Sequence, residues 1–324
     1  MDFQEDKFVK NPVNRSKSTD WPDISFAQWS ETASTLHMWT QIVGKIRLVQ
    51  TPWTNHSWHV PLYVTAKGLD TSLIPYNGKA FTIEFDFVDH QLLIIVSDGN
   101  SRSIPLKPQS VAAFYRKIMH SMKDLGLPVA IFTTPSEVTD GVPFEGDEKH
   151  CHYDREYATR FWRALVQMDR VFKEFRSRFI GKCSPVHFFW GSFDMAVTRF
   201  SGREAPPHPG GVPHFPDWAA REAYSHEVSS AGFWPGGGGV ESASFYSYCY
   251  PAPENYSAQK VKPASAFYSE KLGEFILSYD EVRNASSPDE LLLEFLQSTY
   301  EAAANSAAWD RNALEKDFTL EING

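Results

Sequence analysis

The chain has 324 residues, of which 42% are apolar and 22% charged, and it carries a net charge of −9. That balance suits a soluble globular protein with room for two packed halves, while dispersed Lys and Arg leave no basic stripe for nucleic acid. No apolar run approaches the ~20 residues of a membrane span. Cys151, Cys183 and Cys249 are too few and too scattered for a disulfide framework or a zinc ribbon, so the composition points to a reduced, cytoplasmic protein.

The opening "MDFQEDKFVKNPVNRSKSTD" is polar and lacks the apolar core of a secretory signal. Residues 1–20 are expected to form a mobile tail, and residues 21–133 a first α+β half. Ser25 and Gln28 stand in capping-box spacing before a helix whose stripe is Leu36, Trp39, Val43 and Ile46. "WHVPLYVTAKG" reads as a strand with Trp58, Val60, Leu62 and Val64 on one side. "AFTIEFDF" alternates strictly, Phe81, Ile83, Phe85 and Phe87 inward, and a turn at Asp89-His90 returns it into "LLIIV". Pro108 opens a helix with the stripe Val111, Phe114, Ile118, Met122 and Leu125, closed by Gly126, before a short strand "VAIFTT".

Residues 134–153, with Pro, Gly and acidic residues and no periodicity, read as a linker. A second half spans 154–310. It starts with a helix over 154–180 whose apolar face is Phe161, Leu165, Met168, Phe172, Phe175 and Phe179. "PVHFFWGSFDMAVTRF" reads as one strand bulged at Gly191, residues 201–240 as a Pro/Gly-rich loop, and "SFYSYCY" and "EFILSY" as strands. Ser287, Pro288 and Glu290 start a last helix that buries Leu292, Phe295, Leu296 and Tyr300, leaving 311–324 as a tail. The halves rhyme: Gly44-Lys45 answers Gly181-Lys182, and each pair precedes a segment with His and Trp. The expected fold is therefore α+β, two pseudo-repeated helix–antiparallel strands–helix halves about a central groove.

The stretches "LHMWTQIVGKIRL", "NHSWHVPLYVTAKGL", "FRSRFIGKCSPVHFFWGSFDMAVTRFSGR", "APPHPGGVP" and "YSHEVSSAGFWPGGG" resemble a widespread bacterial family catalogued as a domain of unknown function. The resemblance covers roughly residues 20 to 310 and is specific because the motifs are long. It implies one family-defining unit and brings no activity.

Histidines mark where chemistry could sit: His56 and His59 before the first strand, His187 in the second half, then His208, His214 and His226. Imidazoles with a carboxylate ligate zinc or iron, which makes His187, His226 and Glu227 a candidate set for a divalent metal, although the spacing fits no strong motif. Without a metal, His226, Glu227, His187 and Lys182 are the candidate acid–base groups, with Arg199, Trp190, Trp234 and His208 contacting substrate. Adjacent strand residues face opposite ways, so His226 is expected to point inward and Glu227 to orient a neighbour, with "GFWPGGGG" as a covering lip. "GGGG" lacks the Lys-Ser/Thr of a phosphate loop, and Cys183 reads as a buried, unreactive thiol. Two functions follow: an enzyme acting on a small molecule through a His/Glu-lined pocket, or a non-catalytic binder with a Trp-rich wall built from Trp39, Trp53, Trp58, Trp190 and Trp234.

Overall fold

Helix α1 (Phe26–Gln50) is buried nearly all round. Leu36, Trp39, Val43 and Ile46 form its expected stripe, and Trp39 stacks on Phe114 with ring centroids 4.5 Å apart. The computed structural model describes residues 20–237 and 240–316. The expected tail therefore lies almost wholly outside the described residues, as do Gly238, Gly239 and positions 317–324. The fold is α+β with antiparallel sheets, as the sequence predicts.

The first sheet contains β1 (Tyr63–Val64), β2 (Gly68–Asp70), β3 (Ile74–Tyr76), β4 (Lys79–Asp86), β5 (Gln91–Val96) and β6 (Ser101–Pro105). Its spatial order is β1-β2-β4-β5-β6, with β3 also on β4. Phe81, Ile83 and Phe85 are buried at every second position of β4, the period-2 pattern of a half-covered strand. Helix α2 (Val111–Asp124) covers this apolar side with α1, and the Ser110 hydroxyl caps it by accepting from the Ala113 amide.

The second sheet follows α3 (Arg155–Ser177), whose first turn is capped by the Asp154 carboxylate on the Glu156 and Tyr157 amides. Its strands are β7 (His187–Phe189), β8 (Asp194–Glu204), β9 (His226–Trp234), β10 (Ser244–Tyr250), β11 (Phe267–Ser269) and β12 (Glu274–Ser278), in the order β11-β12-β10-β9-β8-β7. Helix α3 packs on β8, and α6 (Pro288–Ser306) on β9 and β10. Phe161, Leu165, Met168, Phe172 and Phe175 point into that layer. Shorter helices α4 (Asp217–Ala223), α5 (Tyr279–Arg283) and α7 (Arg311–Leu314) complete the chain. The edge residues Leu62 and Phe188 exchange both backbone hydrogen bonds at 2.8 Å and so join the two sheets.

Several expectations change. "HFFWGSFDMAVTRF" is a hairpin, β7 and β8 around residues 190–193, and not one bulged strand. The 201–240 segment contains α4 and all of β9, whose small residues (Ser229, Ser230, Ala231, Gly232) hide the alternation of a central strand. In "WHVPLYVTAKG" Tyr63–Val64 forms β1, Leu62 bridges to Phe188 and Gly68 opens β2, while "VAIFTT" is no strand. Gly44-Lys45 lies inside α1, whereas Gly181-Lys182 lies beyond the end of α3, so the two Gly-Lys pairs are not equivalent positions. Gly44 is instead where the Trp190 indole seats: a Cβ there would overlap the ring at 2.2 Å.

Candidate functional site

The second sheet has one face for the helices and one for a cavity of about 370 Å³. The register aligns His187 with Ala196, Ala196 with Gly232, and Gly232 with Tyr246 across four strands. Residues so paired share a face, and two small ones between His187 and Tyr246 leave a hollow floor. A Cβ on Gly232 would lie 2.2 Å from the Tyr246 hydroxyl, so the glycine lets this phenol lie flat across the sheet. Lying flat, Tyr246 donates to Asp194 Oδ2, while Ser192 Oγ donates to Oδ1. Asp194 is 5% exposed. Burial pushes its carboxyl up in pKa, and the two hydroxyl donors oppose that by favouring the charged form.

Glu137 comes to this floor from the irregular segment between the halves. Its carboxylate occupies the place where Gly191 would carry a Cβ, 2.0 Å from Oε1 to that position. By area the residue is exposed, yet it lies deep among protein atoms and is one of those that line the cavity. Burial by the surrounding protein, reinforced by the Asp194 charge, pushes the Glu137 carboxyl up to about 7. Its backbone is left-handed at φ 63, a strained conformation for a non-glycine residue and one that gathers at functional sites.

Helix α1 holds this strained residue in place through polar groups at i, i+4 and i+8 on its buried side. The Gln41 amide donates to the Ser136 carbonyl and accepts from the Ser136 N–H, both at 2.8 Å. Lys45 Nζ donates to Ser136 Oγ at 3.0 Å, and burial lowers this ammonium to about 8. His37 Nε2 meets the Gly191 carbonyl at 2.8 Å. Three side chains of one helix thus pin the backbones on either side of the Glu137 carboxylate.

His187 faces the cavity and is 1% exposed, yet neither ring nitrogen has a hydrogen-bond partner. Burial, with the Arg47 charge adding to it, drives its pKa down to about 3, so the ring is neutral with a free lone pair. Buried polar atoms are normally satisfied, so this imidazole lacks a partner that the protein does not supply.

Aromatic groups build the rest of the wall. Trp58, Phe189, Trp190 and Phe200 flank the floor, and residues 205–224 roof it with Phe215, Trp218 and Tyr224. Tyr224 and Tyr248 share a hydroxyl contact of 2.7 Å, Thr198 and Ser230 one of 2.9 Å, and His208 stacks on Tyr224 at 4.7 Å. At the far end His56 Nδ1 bonds the Ala223 carbonyl at 3.0 Å and its Nε2 meets Lys182 Nζ.

Of the residues expected from the sequence, the cavity gathers His187, Trp190 and His208. Trp190 lines it with its indole N–H fixed on the Val60 carbonyl at 2.9 Å. Trp234 stands beside it, donating to the Ser192 carbonyl at 3.1 Å. Lys182 sits behind its far end, over the Trp58 ring. His226 opens β9, six residues from the Gly232 that aligns with His187, which sets those backbone positions roughly 20 Å apart along the strand. Glu227 points to the opposite side of β9 and pairs with Arg203 at 2.7 Å near the end of α6. His187, His226 and Glu227 therefore share no centre, and among the described residues no three His, Cys, Asp or Glu side chains are grouped to hold an ion. Arg199 also lies on the helix face, 0% exposed, stacked over Phe175 at 3.5 Å and Tyr300 at 4.3 Å, where no cavity ligand reaches it. Of the tryptophan wall, Trp39 is in the first core and Trp53 is exposed. Trp234-Pro235 ends a central strand and is no lip, and Gly236 packs on Phe26.

The sequence reading missed Glu137, Tyr246 and the α1 triad. The triad had a legible signal: His37, Gln41 and Lys45 recur every four residues along one line of α1. Glu137 had none, because non-local contacts alone place it.

The chain belongs to a family of unknown function (DUF5996), matched over residues 21–316. Comparison with curated proteins and with solved structures gives no match.

Proposed function

With family membership supplying no activity, we propose from the cavity itself that this protein is an enzyme acting on a small organic molecule by proton transfer at Glu137. The observation that carries this is the placement of Glu137: a left-handed backbone, held at the preceding Ser136 by Gln41 and Lys45, presents a carboxyl pushed up to about 7 to an apolar-walled cavity. A general acid–base group works best with a pKa near the working pH, and apolar cavities with a few convergent polar groups are the usual ligand sites. His187 supplies a hydrogen-bond acceptor, and the Asp194–Tyr246–Ser192 network supplies a carboxyl oriented by two hydroxyl donors. Metal dependence, one of the sequence expectations, has no grouped ligand set behind it among the described residues.

A second reading, binding without chemistry, draws on the aromatic walls at Trp58, Trp190 and Phe200. One experiment separates the two. The full chain and its Glu137→Gln variant are incubated with a mixed metabolite extract, and consumption and retention are followed by mass spectrometry. The enzyme reading expects a compound consumed by the parent chain at least 100-fold faster than by the variant. A compound retained equally by both chains and consumed by neither makes the protein a binder.

A further inference from the structure

Building on the small-molecule reading above, we infer that the cavity takes an organic ammonium ion with an apolar or aromatic body, its cationic nitrogen seated among Asp194, Glu137 and His187. Charge sets the class. Two carboxylates meet at one end of the cavity, and among the described residues that form its wall none is Lys or Arg. The cations beside the wall bond groups other than the carboxylates: Lys45 on Ser136 Oγ, Lys182 on His56, and Arg47 on the Pro61 carbonyl. A third carboxyl on the same sheet, Glu274, is pushed up to about 7 by burial and by Asp194. An anionic ligand would add charge to this cluster, whereas an ammonium ion relieves it.

His187 is the independent observation that something belongs here. It is neutral, almost wholly buried and unpartnered at both nitrogens. An ammonium or secondary ammonium N–H donates to such a lone pair, and the remaining N–H groups match the carboxylate oxygens. The hollow at Ala196 and Gly232 gives the nitrogen its seat between His187 and Tyr246. Beyond this polar end the cavity continues between Trp190, Phe189 and Phe200. Those rings bury an apolar body and stabilise a neighbouring cation through their faces.

The test uses three probes that share one body and differ in charge: 2-phenylethylamine, 2-phenylethanol and phenylacetate. Each is titrated calorimetrically into the full chain and into Asp194→Asn and Glu137→Gln. Binding of the amine at least tenfold tighter than the alcohol, undetectable phenylacetate, and a tenfold or greater loss of amine affinity in either folded variant support the assignment. Equal affinity for amine and alcohol, or preference for phenylacetate, overturns the ammonium class while leaving a small-molecule cavity in place. No binding of any probe overturns both. Should Asp194→Asn fail to fold, Glu137→Gln alone decides, because its carboxylate contacts the cavity from a loop.

Discussion

Two buried aspartates, one in each sheet, have nearly the same accessibility and opposite electrostatics. Asp86 in β4 is 1% exposed, and burial alone would raise its pKa; the Lys67 ammonium at 2.8 Å and the Asp89 and Val88 amides outweigh that and hold it below the usual range. Asp194 in β8 is 5% exposed and has hydroxyls in place of a cation, so its pKa stays raised. The first carboxylate closes a turn. The second remains short of positive charge and faces a cavity. What distinguishes a site from a brace in this molecule is therefore whether the protein itself completes the charge balance.

The comparison can be broken most severely on the side of the second sheet that the helices cover. Phe172→Ala removes a fully buried ring packed on Phe245 and should lower unfolding free energy by about 3–5 kcal/mol. Urea titration measures this, and a loss under 1 kcal/mol would mean that face is not the core. The aspartates themselves give the middle effect. Asp86→Asn should cost about 1–3 kcal/mol at pH 7, since it strips a charge-assisted network. Asp194→Asn should stay within about 1 kcal/mol, because removing a group whose charged form burial disfavours offsets the weakened hydroxyl bonds. Equal losses would erase the distinction.

The last effect is a pH dependence at Glu137. Its folded pKa, about 7, lies above the unfolded value of 4.5, so the folded state resists ionisation. Below pH 4.5 both states are protonated and nothing is lost; the penalty grows as pH rises from 4.5 to 7 and is constant above. Glu137→Gln never ionises, so its melting temperature should exceed that of the parent at pH 8 and converge with it at pH 4. A variant that melts lower at pH 8 would show Glu137 to be a structural ion.

Helices were the most legible part of the sequence. The apolar residues Phe161, Leu165, Met168, Phe172 and Phe175 of α3 recur at three and four, and each falls where that period predicts because one helix face meets one sheet face. β4 was legible for the same reason at period two. β9 was not: a central strand whose one face packs on helices and whose other floors a cavity needs small residues on both, and Ser-Ser-Ala-Gly imitates a loop. The histidines misled because residue type says nothing of facing; six positions of strand separate His226 from the residue that aligns with His187. Asp194 and Glu137 acquire their character only from what surrounds them in three dimensions.

The backbone N–H of Glu137 donates to the carbonyl of Pro213, 2.8 Å away, in the roof. Under the proposed function this one bond would make admission and alignment a single event. Lifting the roof far enough to let a molecule pass would part Pro213 from the left-handed residue, and the carboxylate would lose one of the tethers that aim it. The escape rate of a bound molecule and the readiness of Glu137 would then be set by the same contact, so a change at Pro213 should alter residence time and proton transfer together.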